Sequence, residues 1–475
     1  MSSGNPKLKL GALTALVIGS MIGGGIFSLP QNMAAGAESG AILIGWAITA
    51  IGMLCFAFVF QTLANRKPDL NNGVYAYAKE GFGNYLGFSS AWGYWISAWI
   101  GNVSYFVLLF TTASLFVPAF KGGNSPAAIA AASALMWGIH FMVLRGIKEA
   151  TFVNTVVTIA KVVPLVTFIV FALFAFNSDV FTTDIWGASN PALGSVTEQV
   201  KSMMLVTVWV FIGIEGASVY SERAERRSDV GKATVLGFLC ILALLVSVNV
   251  LSAGVMRQAE LAGLKDPSMA YVMERIVGSW GATFISIGLI ISLLGALLSW
   301  LLLAAESLYS ASKDGTMPAV LHKENDKGVP VNALWASNLS MQVFLILALF
   351  SEGTYLSFVK LATSMILVPY LFSTAYAALI AWRGETYEAD RRNRTKDLTV
   401  ALIGVIYGVW LIYAAGLKYL LLSSLLYAPG VLVYLKARRE QGERAFNGIE
   451  KVYLAVVLAT AAFAAFALAR GDLTL

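Results

Sequence analysis

Two ionisable side chains lie deep inside apolar runs, where charge is expensive and is kept for a partner or a task. Glu215 sits in Trp209-Val210-Phe211-Ile212-Gly213-Ile214-Glu215-Gly216-Ala217-Ser218, a carboxylate flanked by glycines. Such a group is either a hydrogen-bonded structural post or a gate and counter-charge for a cation. Lys161 sits in Thr158-Ile159-Ala160-Lys161-Val162-Val163-Pro164. Its ammonium either snorkels to the nearer surface or is buried against backbone carbonyls, in the place of a coupling cation. Glu306, nearer the end of its run, reads as structural or gating. Asp266, Glu274 and the other loop acids read as solvated.

Glycine marks two places where a helix would struggle to continue. The run Gly19-Ser20-Met21-Ile22-Gly23-Gly24-Gly25-Ile26-Phe27 contains three consecutive glycines, each costing about 1 kcal/mol against Ala in a helix. They serve either close helix packing through small residues or an unwound midpoint that offers backbone N–H and C=O groups to a ligand. Glu215 lies in the second such place, five spans further on. Interrupted helices at matching positions of two halves point to a binding site between inverted repeats.

Aromatic residues form the third group. The run Trp92-Gly93-Tyr94-Trp95-Ile96-Ser97-Ala98-Trp99-Ile100-Gly101-Asn102-Val103-Ser104-Tyr105 is dense in rings. Most tryptophans anchor at interfaces or pack. Trp209, beside the second break, and Trp300, in mid-run, do not fit a belt, and their faces could hold a cation at about 0.5–2 kcal/mol each. Asn102 could add a carbonyl acceptor or bond a neighbouring helix.

The elements that must position these residues follow from composition. Of 475 residues, 58% are hydrophobic and 13% charged, too little polarity to cover a soluble surface of this size. We read an all-α membrane protein with about thirteen transmembrane helices, at roughly 11–35, 40–64, 85–118, 126–144, 150–176, 197–220, 233–256, 279–309, 331–350, 355–382, 398–415, 417–435 and 450–469. The split before the twelfth rests on Gly416 and Lys418. The large majority of the 33 Lys and Arg fall in segments on the side of the N-terminus. That bias sets the N-terminus in the cytoplasm, and thirteen spans then put the C-terminus on the periplasmic or extracellular side. The net charge of +6 thus reads as orientation, with no nucleic-acid partner.

Little else carries chemistry. Walker A, HExxH and nucleophile-elbow motifs are absent. Two histidines, His140 and His322, and two cysteines, Cys55 and Cys240, offer no metal or disulfide pattern. The expectation is a non-enzyme without cofactor or metal, held in the lipid bilayer; oligomeric state is not legible.

The motifs resemble those of the amino acid–polyamine–organocation superfamily. Gly23-Gly24-Gly25-Ile26-Phe27 with Leu29-Pro30 is similar to its first-helix signature. Gly73–Ala78, Trp99–Asn102, Phe211–Ser218 and Leu367-Val368-Pro369-Tyr370 resemble its basic amino acid/polyamine antiporter branch, and Ser312–Pro318 resembles the loop after its eighth helix. The opening Leu8–Pro30, Trp92–Asn102 and Arg145–Ala150 look most like bacterial arginine/ornithine antiporters. The resemblance implies a leucine-transporter-like 5+5 inverted repeat with discontinuous helices 1 and 6. Residues 7–176 would form the first repeat, 197–382 the second and 398–475 accessory helices.

The resemblance also implies exchange of cationic amino acids, arginine for ornithine, across the inner membrane. A proton-coupled permease of the same fold and a lysine/arginine–polyamine exchanger are the alternatives. By matching positions, the α-carboxylate would meet backbone amides of Met21, Ile22, Gly23, Gly24 and Gly25, and the Ile212 carbonyl would hold the amino group. The cationic end would stack on Trp300 near Asn102, Ser97 and Ala98, with Tyr105 in the site and Trp209 as its lid. Tyr94, Glu215, Lys161 and Tyr370 would serve gating or coupling. Gly24 replaces a serine of close relatives, and the hydroxyl pattern near Ala362–Ile366 departs from arginine/agmatine exchangers.

Overall fold

The computed structural model describes residues 9–70, 74–146, 151–215, 225–350 and 355–473. Among the described residues the regular structure is all helix, apart from an isolated bridge between Glu324 and Pro330. Leu8, Gly73, Ile147–Ala150 and Gly216–Ser218, all part of the motifs read above, lie outside the described residues.

Each of the thirteen apolar segments lies wholly or in part on helix among the described residues. Nine helices among the described residues are long and apolar enough to cross a bilayer, ten with the first bent pair taken as one span. The difference from thirteen has local causes. Arg391–Glu440 runs for 50 residues and holds the eleventh and twelfth segments together. A single span needs about 20, and the backbone turns at Gly416, where φ is 75° and ψ 163°. The sixth segment is the 14-residue helix Val196–Trp209, which ends mid-membrane. The fifth segment lies on the 25-residue helix Thr151–Ala175.

Burial sorts the helices into layers. Asn84–Ala113, the third span, has 89% of its apolar stretch buried, whereas Gly448–Arg470, the thirteenth, has 22%. The third span is therefore the axis. It packs on Ser279–Lys313 (span eight) and Tyr355–Arg383 (span ten), while Leu10–Met21 packs on Arg227–Val255 (span seven). Glycine makes these contacts possible. A Cβ on Gly93 would stand 2.1 Å from the Tyr427 hydroxyl, and one on Gly52 would stand 2.2 Å from the Tyr407 ring. The outer surface is apolar instead of charged: Phe174 is 85% and Phe350 83% exposed. Faces of that kind match hydrocarbon, not water.

Charges gather at the helix ends on the N-terminal face. Arg66 bonds Asp390 at 2.8 Å and Asp397 at 3.2 Å, and Lys79 pairs with Asp314 at 3.6 Å. The thirteenth helix is fastened by a buried carboxylate. Glu450 closes a capping box with Asn447 and also accepts the Tyr85 amide at 2.7 Å. Glu450→Ala leaves that buried N–H without a partner, a loss of about 1–3 kcal/mol. We expect a lower unfolding temperature for the variant in detergent, measured by intrinsic fluorescence, while Glu388→Ala, at an exposed position, moves it less.

Candidate functional site

The first span breaks where the glycines stand. Leu10–Met21 ends as Ile22 turns to ψ 98°, and a tight turn resumes at Gly25–Ser28 before Leu29–Ala34. The two halves meet at 47°. The amides of Gly23–Gly25 thereby leave the helical ladder. The same glycines are also packing sites. A Cβ on Gly23 would lie 2.1 Å from the Tyr105 hydroxyl, on Gly24 2.7 Å from Leu108, and on Gly25 2.9 Å from both Trp209 and Val210. Close packing and unwinding, alternatives in the sequence, are both present.

The second break follows Trp209. Val210–Glu215 proceeds by tight turns, with Gly213 at φ 105°, a conformation that disfavours any side chain. Ser20 joins the two breaks by donating its hydroxyl to the Gly213 carbonyl at 3.2 Å. The Glu215 carboxylate ties this turn to two further helices. It accepts from the Tyr94 hydroxyl at 3.0 Å, the Tyr370 hydroxyl at 2.7 Å and the Gly213 amide at 3.2 Å. Lys161 is buried, and its ammonium donates to the Gly19 carbonyl at 3.2 Å. It points into the protein beside the first break and does not snorkel.

Between the breaks lies a cavity leaving about 20 Å³ for water centres. That admits a water molecule, far less than the ~300 Å³ of a small-ligand pocket, so the site is closed in this form. Met21, Ile22, Gly23, Gly25, Tyr105, Trp209, Ile212 and Trp300 line it, as the sequence motifs suggest. The Tyr105 and Trp209 rings meet edge to face at 5.6 Å and cover one side. Gly24, Ser97, Ala98 and Asn102 stand outside the lining. Asn102 is nevertheless buried with both polar atoms of its carboxamide unpartnered, one turn from Tyr105 on the same helix.

Four wall residues escape sequence reasoning: Ile26, Val210, Ile241 and Leu245. Ile26 and Val210 flank the breaks and adjacency could have found them. Ile241 and Leu245, four apart on span seven, look like any other apolar pair in an apolar helix. One expectation is overturned. Asp266 is only partly solvated: the residue is half-buried and its Oδ1 is sealed from solvent, because the segment carrying it packs onto Gly25–Ala34. Glu274, on the same segment, is exposed as expected.

Comparison with known proteins follows the same lines. A family model described as amino acid permease matches residues 8–434. The arginine/ornithine antiporter of Pseudomonas aeruginosa is 65% identical, over 99% of this chain and 98% of that protein. The L-lysine transport protein of Corynebacterium glutamicum is 45% identical over 98% of this chain and 96% of its own length. The arginine/agmatine antiporter of Chlamydia caviae is 42% identical over 98% and 97%.

The glycine contacts generate a paired prediction. Gly25→Ala pushes against Trp209 and should weaken binding of labelled arginine to purified protein about tenfold or more. Gly11→Ala, where an added Cβ meets nothing within 4 Å, should leave that binding unchanged.

Proposed function

The chain belongs to the amino acid permease family, and from that premise we propose a secondary active transporter that exchanges cationic amino acids, arginine inward for ornithine outward, by alternating access. The observation that carries this reading is the cavity between two broken helices, walled by backbone groups and aromatic rings, with no carboxylate or ammonium among its described lining residues. A zwitterionic head needs donors and acceptors together. Amides freed at Gly23–Gly25 supply donors for an α-carboxylate, and the carbonyl of Ile212 supplies an acceptor for an α-amino group. The cationic tail takes the Trp300 face and, once the site opens, the unpaired carboxamide of Asn102. Neutral groups hold it weakly enough for release. The named activities of the relatives support this substrate class.

In this proposal residues 7–176 and 197–382 form two inverted five-helix repeats, and 398–475 is an accessory unit. The N-terminus is cytoplasmic, the C-terminus periplasmic and the membrane the inner one, in line with the basic residues on the N-terminal face. Trp209 is the lid. Glu215, held by Tyr94 and Tyr370, fixes the sixth span while the substrate is enclosed. An arginine⁺-for-ornithine⁺ swap moves no net charge, so the two gradients alone drive it.

Lys161 favours a second reading, proton-coupled uptake. Its ammonium occupies a carbonyl site beside the first break, where a transported proton could exchange.

Vesicles of purified protein loaded with ornithine should take up labelled arginine, and empty vesicles should not. Equal uptake by both, abolished by a proton ionophore, would replace exchange with the second reading. Trp300→Ala should raise the half-saturation constant for arginine by about tenfold, the scale of a cation–π contact of 0.5–2 kcal/mol. An unchanged constant would remove Trp300 as the cation platform.

A further inference from the structure

The segment between spans seven and eight holds a carboxylate for which the central site has no use. Asp266 precedes the helix Ser268–Val277, and its Oδ1 is buried without a hydrogen-bond partner. The Ser28 hydroxyl faces it from the turn after the first break. That hydroxyl is itself buried and unpartnered. A third such group is the Tyr355 hydroxyl, from the first turn of span ten. That hydroxyl lies within electrostatic reach of Asp266 and of Tyr105, and beside the Trp209 indole. Three oxygens from three elements thus lie near one another: the Ser28 hydroxyl is placed to donate to the carboxylate and the Trp209 indole to the Tyr355 hydroxyl, but neither contact closes to a full hydrogen bond.

The place is tied to the element that must move. The Gln31 amide donates to Ser268 Oγ at 3.1 Å, its side chain to the Ala262 carbonyl at 3.5 Å, and the Gln258 side chain to the Ala34 carbonyl at 2.7 Å. These bonds fasten the segment to the far half of the broken first span. On the orientation proposed above this is the outer half, beyond the Tyr105–Trp209 cover.

We infer that Asp266, Ser28 and Tyr355 form an outer cation subsite that takes the guanidinium or ammonium end of an amino acid arriving from outside, before it passes Trp209. A carboxylate with one oxygen shut from water and only a hydroxyl beside it is stabilised by a cation or a proton. One carboxylate oxygen and two hydroxyl oxygens accept three N–H bonds, a set that suits a guanidinium fork or an ammonium. Tyr355 neighbours both the carboxylate and the Tyr105–Trp209 pair, so an advancing cation can exchange the carboxylate for ring faces. This inference rests on the exchange reading and deepens it: it makes recognition at the two membrane faces unequal.

Burial pushes the Asp266 carboxyl up to about 6. Below that pH the group is neutral and its attraction for a cation is lost. The titratable groups facing it are Tyr355 from span ten and Tyr271 from its own segment. Tyr271 is raised by burial and by Glu274 and Asp266, and a phenol is neutral at pH 5–8 in any case. Gly25–Ala34 brings no ionisable residue. Spans five, seven and eight, packed on the same segment, carry charge only at Lys161 and at their far ends. Lys265 is exposed.

The test uses ornithine-loaded vesicles with the protein in known orientation. Asp266→Asn should raise the half-saturation constant for external arginine about tenfold, and leave both the maximal exchange rate and the constant for internal ornithine unchanged. The wild-type external constant should rise as external pH falls from about 7 to about 5, and the variant's should stay flat. Asp266→Glu should recover most of the affinity. Equal external constants for wild type and Asp266→Asn would overturn the subsite, as would equal shifts on both faces or a fall in maximal rate alone. Should Asp266→Asn fail to fold, a pH-independent wild-type constant overturns it equally. Failure of the exchange reading looks different: wild-type vesicles would then show no ornithine-dependent arginine uptake at all.

Discussion

Hydrocarbon cannot solvate a free amide or carbonyl, and that constraint governs this molecule wherever a helix stops inside the membrane. The first and sixth spans both stop there. What makes the two breaks tolerable is that they satisfy each other: Ser20 bonds Gly213, and Glu215 gathers the Gly213 amide with the hydroxyls of Tyr94 and Tyr370. A carboxylate is suited to this post because it accepts several hydrogen bonds at once. Those bonds in turn hold the third and tenth spans at the site. Glu215 is therefore a structural junction by geometry, and any gating role it has acts through that junction.

The sequence made the helices legible because a bilayer imposes a length and a composition on each of them. Thirteen apolar segments were countable, and the turn at Gly416 stood where glycine and a lysine interrupt the run. Both breaks were legible for the same reason, since three glycines, or glycines around a carboxylate, have no cheap place in a helix. Side-chain depth was not legible. Lys161 read equally as buried or snorkelling because distance along a chain does not reveal which neighbour offers a carbonyl. Asp266 read as solvated because a loop acid normally is, and only the fold brings Ser28 and Tyr355 over it. Ile241 and Leu245 could not be singled out, since a cavity wall and a helix contact use the same residue types.

Scarcity of charge shapes recognition as well as folding. A buried ion pair costs desolvation on both partners and is released slowly. A carrier working on cations does better with ring faces, carbonyls and amides in its centre. Lys161, one of the few ammonium groups at depth, bonds a backbone carbonyl and keeps clear of the cavity lining. Its positive charge near the first break also disfavours a second free cation there.

The same reasoning separates the centre from its approach. In the centre a full carboxylate would trap a cation, and none is among the described residues that line the cavity. On the approach an exposed carboxylate would be screened by salt and hydrated, and would discriminate little. Asp266 lies between these limits: one oxygen shut from water, hydroxyls in place of basic partners, and a position on a segment bonded to the half-helix that has to move. Opening the outer path must stretch or carry along the Gln31–Ser268 and Gln258–Ala34 bonds. In the inference drawn above, exposure of the shut Asp266 oxygen is then coupled to displacement of the first span's outer half, because the segment that carries it is bonded to that half.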